Sequence, residues 1–224
     1  MRTNAMTVYR GLLAGLAVSL LPCGAWAQVA CGGTVGPGET VTLTGDLGPC
    51  DDVPAAITVE GGTLDLGGFT ISCADTDGDD RLSVGVELGG TKAQVRNGTV
   101  TGCYSGVRVE GSGKAAVTGV TASNNATDGV QIRSDKNKIK GNTAAGNGDE
   151  GFDVLGSRNK VTGNTATGNS SDGIDVASNA RKNKVVRNIS TGNGGADLQD
   201  SGAPCKSNTW RKNTYGSRAS DCLK

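Results

Sequence analysis

Four segments of this 224-residue chain share one pattern, Asn-x-apolar-x-x-Asn: Asn137 to Asn142, Asn159 to Asn164, Asn183 to Asn188 and Asn208 to Asn213. Successive copies are offset by 22, 24 and 25 residues. A second phase lies between them: Asp128-Gly-Val-Gln-Ile, Glu150-Gly-Phe-Asp-Val, Asp172-Gly-Ile-Asp-Val and Gly194-Gly-Ala-Asp-Leu, each 22 residues after the last. A third is Gly146-Asn147, Gly168-Asn169 and Gly192-Asn193. Weaker copies reach back through Gly106-Val-Arg-Val and Gly85-Val-Glu-Leu. A unit this short cannot bury its own apolar side chains, so recurrence at this period means stacked units, a solenoid.

Inside each unit, apolar residues alternate with polar ones. Val130 and Ile132 flank Gln131, Phe152 and Val154 flank Asp153, and Ile174 and Val176 flank Asp175. That is the period of a strand. A second short strand centres on Ile139, Val161 and Val185, and Gly, Asn, Ser and Asp fill the gaps as turns require. Leucine is too scarce for leucine-rich repeats, and nothing from Gln28 to Lys224 carries a helical apolar period. The expected fold is all-β: a single-stranded parallel β-helix whose coils pair with those before and after, rising ~4.8 Å per coil. Val130, Phe152, Ile174 and Ala196 are expected in one internal ladder, and Ile132, Val154, Val176 and Leu198 in another. Asn142, Asn164 and Asn188 are expected to form an amide ladder at an inward turn. The narrow core accounts for an aromatic content of only 3%.

Composition removes several chemistries. The chain has no His, so it has no Ser-His-Asp triad, imidazole base or His-ligated metal. Its 22 basic and 22 acidic residues balance, which argues against a nucleic-acid partner, and the few aromatics offer no stacking platform for bases. Residues 1–27 read as a signal peptide: Arg2 and Arg10, an apolar run from Gly11 to Leu21, and Ala25-Trp26-Ala27 before the cut. The run is too short to span a bilayer, so the expected product is exported, periplasmic or extracellular. Six cysteines remain: Cys31, Cys50, Cys73, Cys103, Cys205 and Cys222. An even count in an exported chain reads as disulfides, and fifteen pairings exist. Pairing of neighbours is the most natural: Cys31–Cys50, Cys73–Cys103 and Cys205–Cys222. The expected organisation is an N-terminal cap and first coil over 28–60, coils over 61–203, and a C-terminal disulfide cap over 204–224 that holds Trp210 and Tyr215.

A family resemblance rests on Cys31-Gly-Gly, Thr42-Leu-Thr-Gly-Asp-Leu-Gly-Pro-Cys50, Leu64-Asp-Leu-Gly-Gly-Phe-Thr-Ile71, Val95-Arg-Asn-Gly-Thr-Val100 and the Asn-rich coils. From Cys31 to Cys222 the chain resembles bacterial exported right-handed parallel β-helix proteins, the repeat-only members of the pectin-lyase-like superfamily. The resemblance implies the right hand of the coil and polysaccharides as the usual substrate class. Similar proteins often carry His where Phe69 stands here, so a function resting on that His does not transfer.

The candidate site residues are charged ladders. Gln131, Asp153, Asp175 and Asp197 are expected in one outward ladder, with Asp128, Glu150 and Asp172 before the Gly of each coil. Carboxylates one strand spacing apart repel and favour a cation, Ca²⁺ being the natural one; the competing reading is a solubilising face. A basic strip of Lys138, Lys160 and Lys184 lies elsewhere on the coil. The oxygen-rich loop Asp75, Asp77, Asp79 and Asp80 is a second calcium candidate, without EF-hand spacing. No catalytic signature is present; Asp153 and Asp175 come nearest to one. Two functions fit. One is a non-catalytic module that binds carbohydrate or another cell-envelope component along a flat face, through Glu150, Asp153, Asp172, Asp175, Asp197 or the lysines. The other is a small polysaccharide lyase or uronate C5-epimerase using the acidic ladder and Ca²⁺.

Overall fold

A computed structural model describes residues 29–74, 83–202, 207–221 and 223. The signal-peptide reading, the loop of Asp75, Asp77, Asp79 and Asp80, and the Cys205–Cys222 pairing lie outside the described residues. Those described form parallel strands only, in one sheet of eight and one of fourteen, with no helix among them. Each sheet pairs every coil with the next. Phe152 stands over Val130 and under Ile174, the neighbourhood that the repeat demands.

One coil shows the plan. The strand Phe152–Val154 lies in the eight-stranded sheet. After a turn, Lys160–Thr162 and then Thr165–Thr167 run in the fourteen-stranded sheet, separated by a corner at Gly163 and Asn164. Two longer strands, Gln94–Thr101 and Ala116–Ser123, run through that corner, which joins the two sides into one sheet. The third strand of each coil, such as Thr165–Thr167, is not legible in the sequence, because its Thr-Ala-Thr sequence carries little apolar signal.

The core is a bundle of vertical ladders. Val117, Ile139, Val161, Val185 and Trp210 stack on one side; Ala122, Ala144 and Ala166 stack on the next. The alanines are small because the opposite wall is close. A Cβ added to Gly129 would lie 2.7 Å from Ala144 Cβ, so both columns must stay small. Trp210 therefore continues a coil ladder, on the strand Thr209–Arg211.

Asparagine closes each of three corners. Asn137, Asn159, Asn183 and Asn208 form one column; Asn142, Asn164, Asn188 and Asn213 a second; Asn125, Asn147, Asn169 and Asn193 a third. In every column the side-chain oxygen accepts from the backbone N–H of the rung before it, at 2.7 to 3.1 Å. Corner amides have no strand partner, and these side chains supply one in a place that water cannot reach.

Two disulfides brace the first coils: Cys31–Cys50 and Cys73–Cys103, as neighbour pairing predicts. Cys50 and Cys73 are themselves register partners on adjacent strands.

The expected ladder fails at its last rung. Ile174 pairs with Leu198, Asp175 with Gln199 and Val176 with Asp200, an offset of 24 and not 22. The cause is local. Seven positions separate Val176 from Asn183, against five between Val154 and Asn159, so two extra residues enter the turn after Val176. Ala196 thus leaves the Val130 ladder and Leu198 takes that place. Gly194-Gly-Ala-Asp-Leu imitates the earlier motif while sitting two residues out of phase.

Candidate functional site

Charge is sorted by face. The eight-stranded sheet presents an outward column of Glu87, Arg108, Gln131, Asp153, Asp175 and Gln199. Asp153 and Asp175 are register neighbours, as the repeat predicts. Gln131 Nε2 donates to Asp128 Oδ2 at 2.8 Å and lies 3.4 Å from Asp153 Oδ2. Ser201 Oγ donates to Asp175 Oδ1 at 2.9 Å, and Asp172 Oδ1 accepts from Ala196 N–H at 2.6 Å. Arg108, two rungs from Asp153, is directed to Glu87 at 3.9 Å and lies over the Tyr104 ring.

Glu150 and Asp128 stand beside this column. One carboxylate oxygen each from Asp128, Asp149 and Glu150 lies within 4.8 Å of the others. Asp128 is 3% exposed, and its Oδ1 is buried with no hydrogen-bond donor against it. Burial raises the Asp128 carboxyl, and the Asp149 charge adds to that rise. Glu150 is pushed up to about 8, first by burial and then by the neighbouring Asp128 carboxyl. A protonated Glu150 is a donor that Asp128 Oδ1 lacks; a divalent cation held by Asp128, Asp149 and Glu150 would serve the same need. Asp153 rises to about 7, mainly through burial and then through the charge of Asp128. Asp175 rises to about 6, through burial, with Asp172 and Asp200 adding to it. The acidic ladder therefore holds protons near neutrality.

Asp197 belongs elsewhere. It is 2% exposed and stacks in the column of Gly129, Gly151 and Gly173. Its Oδ1 accepts from Asn193 N–H and Nδ2, and its Oδ2 from the N–H groups of Gly216 and Ser217. Burial alone would raise its pKa; donation from Asn193, Ser217 and Gly216 outweighs that and lowers it. It is the terminal acceptor of the third asparagine column. Asp200 plays the matching part at the first column, accepting from Asn208 Nδ2 at 3.2 Å and Trp210 Nε1 at 3.0 Å. The frame shift made both roles illegible in the sequence.

The fourteen-stranded sheet carries the cations. Lys138, Lys160 and Lys184 are exposed register partners, as the repeat predicts. A second column lies two residues before it at the corner: Lys92, Lys114, Lys136, Arg158 and Lys182, all exposed and all with φ of 60 to 63°; of these, Arg158 is the one that the sequence pattern associates with the lysine strip. Within these two columns, one ion pair is found among the described residues, Arg158 to Asp135 at 3.7 Å. Farther across the same side stand Lys140, Arg211, Arg187 and Lys212. Lys140, Thr162, Gly163, Val186 and Arg187 line a shallow depression of about 260 Å³. Basic and acidic columns do not converge; they occupy different sheets.

Parallel coils in register, buried amide columns and two flat charged sides define a β-solenoid with repetitive surfaces. The chain belongs to the right-handed β-helix family, whose model, described as a right handed beta helix region, matches residues 84–221. No curated protein matches it. Among solved structures, the Dettilon tailspike protein aligns with a TM-score of 0.39 and 15% identity over 83% of this chain. The chain spans 53% of that tailspike's length. No helix of the described residues is long and apolar enough to cross a membrane.

Proposed function

We propose that this chain is an exported, non-catalytic β-helix that binds carbohydrate or another cell-envelope component along one face of its coil stack. In this reading residues 1–27 direct export, and the expected cap over 204–224, with Cys205 and Cys222, closes the C-terminal end of the stack, residues 209–215 serving as its last rungs. The observation that carries it is the arrangement of charge. Side chains of one sign recur at one strand spacing in columns on flat sheets, which matches a repetitive partner better than a single small substrate. The test is a glycan array probed with the full chain, followed by calorimetry on uronate polymers. Binding to a glycan supports the reading; failure on every glycan leaves an envelope component of another class, or a scaffold.

A second reading keeps one specific support. Asp153 and Asp175 lie side by side with pKa values raised to about 7 and about 6, the range that a general acid or base needs. In that reading the ladder serves a polysaccharide lyase or C5-epimerase, and Asp128, Asp149 and Glu150 hold Ca²⁺. Unsaturated uronate absorbance from alginate or pectate, lost on chelation, would support the lyase. Inversion at C5 followed by NMR would support the epimerase.

A further inference from the structure

We propose that the basic side of the fourteen-stranded sheet docks on an anionic lipid surface, with the coil axis parallel to the bilayer. The argument starts from the corners. Five successive coils place Lys92, Lys114, Lys136, Arg158 and Lys182 in the left-handed region. That conformation costs ordinary residues energy, and Gly or Asn adopts it most cheaply. The same chain obeys this at some corners and departs from it with two further cations, Arg187 and Lys212, at another. Its corresponding corner in the first two coils is Gly38 and Gly61, and another corner runs Gly102, Asn124, Gly146, Gly168 and Gly192. Backbone geometry therefore does not select the cations; the side chains do.

Five like charges in a column repel, and with Lys138, Lys160 and Lys184 alongside they form an array rather than a line. Asp135 offers one of these cations a counter-charge. The array runs ~19 Å along the axis, at five rungs of one strand spacing, and ~16 Å across, over the five residues from Lys136 to the next corner. A linear polyanion would neutralise one column and leave the rest. A plane of phosphate headgroups meets all columns together, and a flat sheet offers it no obstructing wall. Lys140, Arg187, Arg211 and Lys212 extend the array toward the C-terminal coils. The docking is electrostatic, since Ile189 is the one large apolar residue strongly exposed on this sheet among the described residues. It does not depend on glycan binding, which is tested on glycans and not on vesicles.

The test is co-sedimentation of the full chain with vesicles of phosphatidylglycerol and phosphatidylcholine, and with vesicles of phosphatidylcholine alone. Binding to the anionic vesicles is expected, weakening as salt rises from about 50 to 300 mM. Each cation near such a surface contributes about fivefold, so the triple variant Lys136→Gln, Arg158→Gln, Lys182→Gln should lose about a hundredfold. The strand triple Lys138→Gln, Lys160→Gln, Lys184→Gln should lose a similar factor, and it serves if the corner variant misfolds by circular dichroism. Arg133→Gln removes a cation off this side and should change binding less than about fivefold. The proposal is overturned if folded variants bind like the parent, or if neutral vesicles bind equally. It is also overturned if vesicles are ignored while polygalacturonate or DNA is held through the same lysines.

Discussion

Asn164 holds four contacts with one amide. Its Oδ1 accepts from Asn142 N–H at 2.9 Å and Nδ2 at 3.0 Å, and its Nδ2 donates to Ile139 C=O at 3.1 Å and Asn188 Oδ1 at 3.0 Å. Asn164→Ala leaves the buried N–H of Asn142 without its acceptor, at a cost of about 1–3 kcal/mol. Urea denaturation should show that loss. Asn164→Asp turns a carboxylate oxygen toward Ile139 C=O and Asn188 Oδ1 in a buried site, so its cost should fall as the pH is lowered and the carboxyl becomes protonated. A loss below about 0.5 kcal/mol for the alanine variant, the level of a surface change, would contradict the column's structural role. At the last coil the acceptor is a carboxylate. Asp200→Ala strips Trp210 Nε1 of its acceptor, while Asn208 Nδ2 keeps Ala180 C=O, and should also cost about 1–3 kcal/mol by the same measurement.

Corners and walls set what each element tolerates. Lys136 holds a φ of 63°, so Lys136→Gly should raise stability by about 0.5–1 kcal/mol. Vesicle binding should fall in the same variant, which separates the cation's interfacial role from its fit to the backbone. Wall glycines behave oppositely. A Cβ on Gly173 would lie 1.9 Å from Ser190 Oγ and 2.5 Å from Asn193 Nδ2, so Gly173→Ala overpacks the core at about 1–3 kcal/mol. Thermal denaturation of the two variants should move in opposite directions. The alternation of Val130, Gln131 and Ile132 made these strands legible, because a strand's two faces differ in burial. The thin wall was not legible, because the distance between two sheets is not a property of either strand.

At the scale of the whole molecule, balanced charge conceals two poles, and the acidic one makes stability depend on pH. Asp153 and Asp175 ionise at about 7 and about 6 in the fold, above the ordinary carboxylate value of the unfolded chain. Between those values the folded chain binds more protons, so stability falls as pH rises from about 4 to about 7. Asp65 and Asp197 act in the other sense, their lowered pKa values costing stability as the pH drops below the usual carboxylate range. The melting temperature should therefore be higher at pH 5 than at pH 8, and Asp153→Asn with Asp175→Asn should narrow the difference; equal melting of the parent at both pH values would contradict the buried ladder. The sequence by itself determined the fold class, the stacking of Phe152 under Ile174, the lysine column and the Cys31–Cys50 and Cys73–Cys103 pairs. The fold class, the stacking and the lysine column follow from residue type recurring at a fixed interval along the chain; the two disulfides follow the pairing of neighbours, one of fifteen possibilities. Only the tertiary structure decided that Leu198 and not Ala196 sits over Ile174, that Asp197 points inward, and that seven cations occupy left-handed corners. Interval is a local property that a near-copy such as Gly194-Gly-Ala-Asp-Leu can imitate. Register is collective: backbone pairs and asparagine columns on three sides must agree at once, and two extra residues in one turn shift them all together.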